Sequence, residues 1–213
     1  MMSPPSFDAA FREQLYTLFL WRRDVRRFRA EAIPDNIVTE LLSAAMLAPS
    51  VGLSEPWRFV LVEDPLNRIE IRQSFLTANH EALRGYDGER ARLYASLKLE
   101  GLDQAPVHLA VYCDRQTTQG YGLGQQTMPE TITYSVVASI QTLWLAARAY
   151  GIGVGWVSIL DPVDVNRVLQ IPESWKLVAY LCLGYPAEES NQPRLTEVGW
   201  EQRRNLAEFL FRR

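Results

Sequence analysis

Over residues 7–21 the apolar positions repeat every three or four residues, with Phe7, Phe11, Leu15, Leu18 and Phe19 on one helical face. Ile33-Pro34-Asp35 opens a second helix, predicted to run to Ala48 with Asp35 as its cap and Pro49 as its stop. Residues 57–62 read as a strand, and a long helix follows over 65–83, Pro65 suiting its first turn. The charge-rich stretch 87–101 predicts an amphipathic helix. A buried strand follows at 107–113, then a glycine- and glutamine-bearing loop at 116–129. Residues 130–150 form the central helix, apolar on most sides, which places it in a core or a subunit interface. Strands at 154–160 and 177–183 flank a short helix at 162–169. Helices interleaved with four strands predict a layered α+β domain, a mixed β-sheet flanked by helices, spanning residues 1–213.

The tail, 186–213, breaks this pattern. Leu195, Val198, Trp200, Leu206, Phe209, Leu210 and Phe211 occur there without strand or long-helix spacing. A free arm with that much apolar surface would aggregate. It is therefore predicted to pack over its own core or across a partner subunit in a closed two-fold dimer.

A chain of 213 residues can bury roughly 70–75% of its unfolded surface and needs neither disulfide nor metal to fold. The 47% apolar and 22% charged fractions are those of an ordinary soluble protein. No basic segment followed by an apolar core opens the chain, and no apolar run approaches ~18 residues. A secretion signal and a membrane span are therefore not expected. Cys113 and Cys182 sit inside strand-like apolar runs without Cys-x-x-Cys spacing, as core residues of a reducing, cytoplasmic compartment would. Formal net charge is −3, and the one short basic cluster is a poor footprint for nucleic acid.

That cluster is Arg22-Arg23-Asp24-Val25-Arg26-Arg27-Phe28, four guanidinium groups around one carboxylate. Guanidinium donates paired hydrogen bonds and suits a phosphate. Asp24 is then either a clamp for arginine or a base, or it neutralises a solvated helix end. Gly151-Ile152-Gly153-Val154-Gly155 is not a dinucleotide fingerprint, because here the order is helix, glycines, strand rather than strand, glycines, helix. The glycines predict a helix stop followed by close backbone approach to something flat. His108, in an apolar strand, reads as a core histidine. No acid–histidine–nucleophile set and no metal cluster can be assembled, so the chemistry is expected to belong to a bound cofactor. A third marker is Ala48-Pro49-Ser50-Val51-Gly52 followed by Glu55-Pro56-Trp57.

In their order these segments, with Tyr94 to Gly101, Cys113-Asp114-Arg115, Leu143 to Arg148 and Gly151 to Ser158, resemble the FMN-binding nitroreductase superfamily. The resemblance runs from about Leu20 to Trp200. The superfamily usually has serine where Asp24 stands, and Asp24 together with a lid-like 87–101 resembles its flavin-destructase branch. Glu55 departs from the usual glutamine. The resemblance implies a nitroreductase-like homodimer with an exchanged C-terminal arm. It implies FMN bound by Arg22, Arg23, Asp24, Val25, Arg26, Met46, Ser50, Gly52, Arg90, Leu99, Gly155 and Ser158, with Arg203 or Arg204 as a further phosphate contact. It implies oxygen-dependent fragmentation of reduced FMN to 5,6-dimethylbenzimidazole and D-erythrose 4-phosphate, for the lower ligand of vitamin B12. Asp24 would move protons, Ser158 would orient the reacting ring, O2 would be the oxidant, and a flavin reductase could supply reduced FMN. Two other readings are an NAD(P)H-dependent FMN reductase of nitroaromatics, quinones or a cobalt corrinoid, and a flavin-binding protein without turnover.

Overall fold

The computed structural model describes residues 4–97 and 101–213. Helix α1 (Ala9–Trp21) starts where Asp8 accepts a hydrogen bond from Phe11 N at 2.8 Å, and none of its side chains is buried. Helix α2 (Asp35–Ala45) follows Pro34 without a side-chain cap. Asp35, predicted to be that cap, lies in the first turn instead, where its charge meets the positive end of the helix. The helix ends three residues before Ala48, because Leu47 N and Ala48 N turn back to Ala44 O and Ala45 O. Pro49 disfavours helical backbone at the residue before it.

Strand β1 (Trp57–Leu61) and helix α3 (Pro65–Leu83, capped by Asp64) come next. The stretch 87–101, predicted as one helix, contains α4 (Gly88–Ser96) and the first residue of the single turn α5 (Gly101–Gln104), with 98–100 outside the described residues. Then follow β2 (Val107–Asp114), a 3-10 turn at Gln119–Gly122 and helix α6 (Thr131–Ala149). Strand β3 (Gly153–Val157), helix α7 (Pro162–Val168) and strand β4 (Trp175–Gly184) complete the body. The tail holds only the turn α8 (Arg194–Glu197) and a 3-10 turn at Leu206–Glu208.

The four strands pair antiparallel throughout, in the order β1-β2-β4-β3. The parallel pairing of the predicted mixed sheet is confined to one bridge, Asp24 to Val154, where the arginine segment runs along the outer edge of β3. A short apolar run marks a buried strand without encoding its direction.

Successive side chains of the buried strand β2 face opposite layers and build the core on both sides. On β2, Leu109, Val111 and Cys113 face α2 and α6 with Leu41, Val136, Ile140 and Leu143. Ala110 and Tyr112 face the other layer with Ile71, Phe75 and Val165. His108, 2% exposed, holds the Tyr180 hydroxyl at 2.9 Å, and burial pushes its pKa down to about 4, Arg68 adding to the effect. It is a satisfied core histidine. The buried arc of α6 covers about half the helix; Tyr134, Val137 and Tyr150 stand exposed on the rest.

Candidate active site

The arginine segment is threaded into the sheet by its backbone. Val25 N donates to Val154 O at 3.0 Å, Phe28 N to Gln104 Oε1 at 3.1 Å, and Ala187 N to Arg27 O at 3.0 Å. Asp24 completes the docking with its side chain. Its Oδ1 accepts from Trp156 N at 3.0 Å and its Oδ2 from Arg26 Nε at 3.2 Å. The Asp24 side chain remains 39% exposed, on the wall of a cleft of about 340 Å³ that Arg26, Arg27, Leu97, Arg194 and Glu197 also line.

Glycine makes this docking possible. A Cβ on Gly155 would lie 2.2 Å from Val25 O, and one on Gly153 would lie 2.6 Å from Val25 Cγ2. The flat object expected against these glycines is therefore the backbone and side chain of Val25, from the chain itself. Ser158 follows β3, exposed, two residues beyond the amide that Asp24 holds. Two extended residues span about 7 Å, so Asp24 and Ser158 share one end of β3.

The arginines divide their work. Arg23 donates to Phe19 O and Leu20 O and so closes the C-terminal end of α1. Arg22 lies over the Trp144 ring, 4.8 Å from its centroid, and Trp144 Nε1 donates to Arg23 O at 3.3 Å. Burial lowers the pKa of both Arg22 and Arg23. Arg203 of the tail lowers both further, Arg22 adds to the effect on Arg23, and Asp24 opposes it at Arg22. Of the two tail arginines, Arg203 is the one whose charge is felt at Arg22 and Arg23. Arg27 pairs with Glu188 at 2.8 Å.

Met46, Ser50 and Gly52 lie elsewhere. Ser139 Oγ donates to Ala45 O at 3.0 Å, and Ser135 Oγ accepts from Val51 N at 3.0 Å, which fixes the loop after α2 on α6. Ser135 and Trp144 stand roughly 180° apart around α6 and about 14 Å apart along it. The two groups of predicted residues thus occupy opposite edges of its buried arc. Ser50 Oγ accepts from Glu55 N at 3.1 Å, and Met46 is exposed at the end of α2. Gly52 has φ +58°, and a Cβ there would meet Leu123 O at 2.8 Å; one on Gly120 would meet Gly52 O at 2.3 Å. Glu55 Oε2 accepts from Gln119 Nε2 at 2.7 Å, and the same amide reaches Leu53 O. Arg90 donates to Trp200 O at 2.8 Å, engaged with the tail rather than with the other arginines. Leu99 lies outside the described residues.

Sequence reasoning passed over Gln104, Glu188 and the Ser190–Arg194–Glu197 group, which hold or line the segment. For the tail residues the signal was the cluster of Glu188, Glu189, Arg194 and Glu197, hidden behind the apolar residues of the tail. FMN needs an anion site beside a cleft, and the residues present fit it. Arg26 Nη1 is buried without a partner among the described residues, next to the cleft. The charge of Arg203 is felt at Arg22 and Arg23, and the cleft is within the usual size of small-molecule sites. Among the described residues no group of His, Cys, Asp or Glu could hold a metal ion, and no helix is long and apolar enough to cross a membrane.

Comparison with known proteins gives the family. A 5,6-dimethylbenzimidazole synthase of Rhodospirillum rubrum is 55% identical over 204 residues, 96% of this chain and 97% of the relative. One from Rhodobacter capsulatus is 43% identical over 197 residues, 92% and 95% of the two chains. A crystal structure of iodotyrosine deiodinase bound to FMN and 3-iodo-L-tyrosine superposes with a TM-score of 0.70 at 26% identity, covering 83% of this chain and 91% of that one. The nitroreductase family matches residues 19–185. With its sheet, its flanking helices and most of its length accounted for in this way, the chain belongs to the nitroreductase family.

Proposed function

We propose that the chain is a 5,6-dimethylbenzimidazole synthase, an oxidoreductase that consumes reduced FMN and O2 and releases 5,6-dimethylbenzimidazole and D-erythrose 4-phosphate for the lower ligand of vitamin B12. The observation that carries the reading is the full-length likeness to the Rhodospirillum rubrum synthase. The placement of Asp24 gives that likeness a chemical basis. Reduced FMN supplies both the reducing equivalents for O2 and the carbon skeleton of the product.

The protein's part is to hold, orient and move protons. Arg22 and Arg203 bind the phosphate, and Arg26 offers its buried Nη1 to the polyol chain. Arg23 adds charge while holding the end of α1. Asp24, anchored by Trp156 N and Arg26, keeps a lone pair on each oxygen for proton transfer. A positioned acid–base group contributes ~10²–10⁴-fold. Ser158, at the same end of β3, orients the reacting ring. Leu97, just past α4, stands on the wall of the cleft and helps keep water from it.

The reading includes a homodimer. Met46, Ser50 and Gly52 stand at the edge of α6 opposite Arg22–Arg26, so a second copy has to bring that loop to each cleft. The uncovered apolar residues of α1 and the tail, including Phe11, Phe19, Leu210 and Phe211, are the surface for such a partner. Cytoplasmic location and supply of reduced FMN by a flavin reductase belong to the same reading.

The test is to mix the purified protein anaerobically with chemically reduced FMN, admit O2 and separate the products. We expect 5,6-dimethylbenzimidazole in proportion to the FMN lost. Intact FMN with steady NADH oxidation would instead identify a flavin reductase, and intact FMN without turnover a flavin-binding protein.

A further inference from the structure

Helix α4 has little packing of its own. Residues 88–95 are all exposed or half-buried, yet Leu97, just past the helix, lines the cleft beside Asp24 and Arg26. What holds α4 comes from two sides. On α3, Asn79 Oδ1 accepts from the Tyr94 hydroxyl at 2.9 Å. On the tail, Trp200 O accepts from Arg90 Nη1 at 2.8 Å while the guanidinium lies 5.0 Å above the Trp200 ring. Tyr86 meets the same ring edge-on at 5.5 Å and stacks on Tyr94 at 5.1 Å. Trp200 thus touches both the segment leading into α4 and the helix's first turn. It does so three positions before Arg203, which stands beside Arg22 and Arg23.

We propose that Trp200, clasped by Arg90 and Tyr86, is a positioning residue that fixes α4, and through it Leu97, on the wall of the cleft. Arg90 acts in this clasp through its hydrogen bond to Trp200 O and its stacking on the indole. The proposal rests on the functional reading only for the identity of the molecule the cleft retains. A half-buried indole under a guanidinium is well matched to such a role. The cation–π contact, the edge-on ring and the carbonyl hydrogen bond each add modestly, and both ring contacts are lost together when the indole is removed.

Hydrogen–deuterium exchange on the flavin-free full-length protein tests the clasp directly. Arg90→Gln and Trp200→Ala are each expected to speed exchange of the α4 amides about ten-fold, with β2 unchanged. The double variant should exchange no faster than Trp200→Ala, and Arg90→Lys, which keeps a cation and a donor, should restore most of the protection. FMN, followed by its fluorescence, should leave the two single variants about ten-fold faster than the parent. Unchanged α4 exchange in Arg90→Gln overturns the clasp, as do additive effects in the double variant. Faster exchange with unchanged FMN release overturns the positioning role. A parent protein that binds no FMN sinks the functional reading, and α4 exchange still decides the clasp.

Discussion

Asp24 receives one hydrogen bond on each carboxylate oxygen, from the Trp156 amide and from Arg26 Nε. In Asp24→Asn the amide oxygen can still accept from Trp156, but the nitrogen would face Arg26 donor to donor. We expect that variant to bind FMN within about ten-fold of the parent and to lose ~10²–10⁴-fold in product formation, read by fluorescence titration and chromatography. Unimpaired product formation would remove Asp24 from the chemistry. His108 makes a prediction of the opposite kind. Its pKa falls from an ordinary 6.5 to about 4 in the fold, so the unfolded chain binds more protons between those values. Stability is complete above pH 6.5 and is lost as pH falls through about 4, by about 2 kcal/mol at pH 5. Urea midpoints at pH 7.5 and pH 5 check this, and His108→Gln should flatten the difference. The pairing of Asp24 with arginine and the core role of His108 were both legible in the sequence, one from its arginine neighbours and the other from its apolar strand. The capping role of Arg23 was not, because residue order does not say which helix carbonyls lie within reach of a guanidinium.

At the scale of elements, the strands and long helices follow the sequence pattern because each buries one face against a neighbour. Their ends follow it less well. Asp35 resembles a cap in sequence, but Pro34 takes the cap position and Asp35 falls in the first turn. Gly153 and Gly155 announced a close approach without saying of what, since any thin object satisfies them. The structure seats Val25 there, and Gly155→Ala would push a methyl against Val25 O. We expect that variant to lose roughly 1–3 kcal/mol, at about 2–4 °C of Tm per kcal/mol. It should also loosen Asp24 from Trp156, seen as weakened FMN binding. Thermal unfolding with and without FMN measures both effects, and an unaltered Tm would contradict the seat.

For the whole molecule, the split of the predicted site across α6 matters more than any single contact. Sequence similarity collects Arg22, Ser50 and Gly155 in one site, while the single chain sets Ser50 and Gly52 on the far edge of the buried arc. No linear pattern carries that information, because it depends on the rotation of one helix. Likewise the short apolar runs located all four strands but could not give their antiparallel order. The homodimer reading predicts that Leu210→Glu with Phe211→Glu shifts the protein from dimer to monomer in sedimentation and weakens FMN binding in parallel. A monomeric parent that binds FMN with full affinity would refute it. The paired glycines of the loops carry one more consequence. Because Gly52 and Gly120 pack backbone to backbone with no room for a side chain between them, and Gln119 reaches across to Glu55, the two loops travel as one cassette. A chimera that imports residues 50–55 from a relative without residues 119–124 should misfold locally, while one that imports both should not.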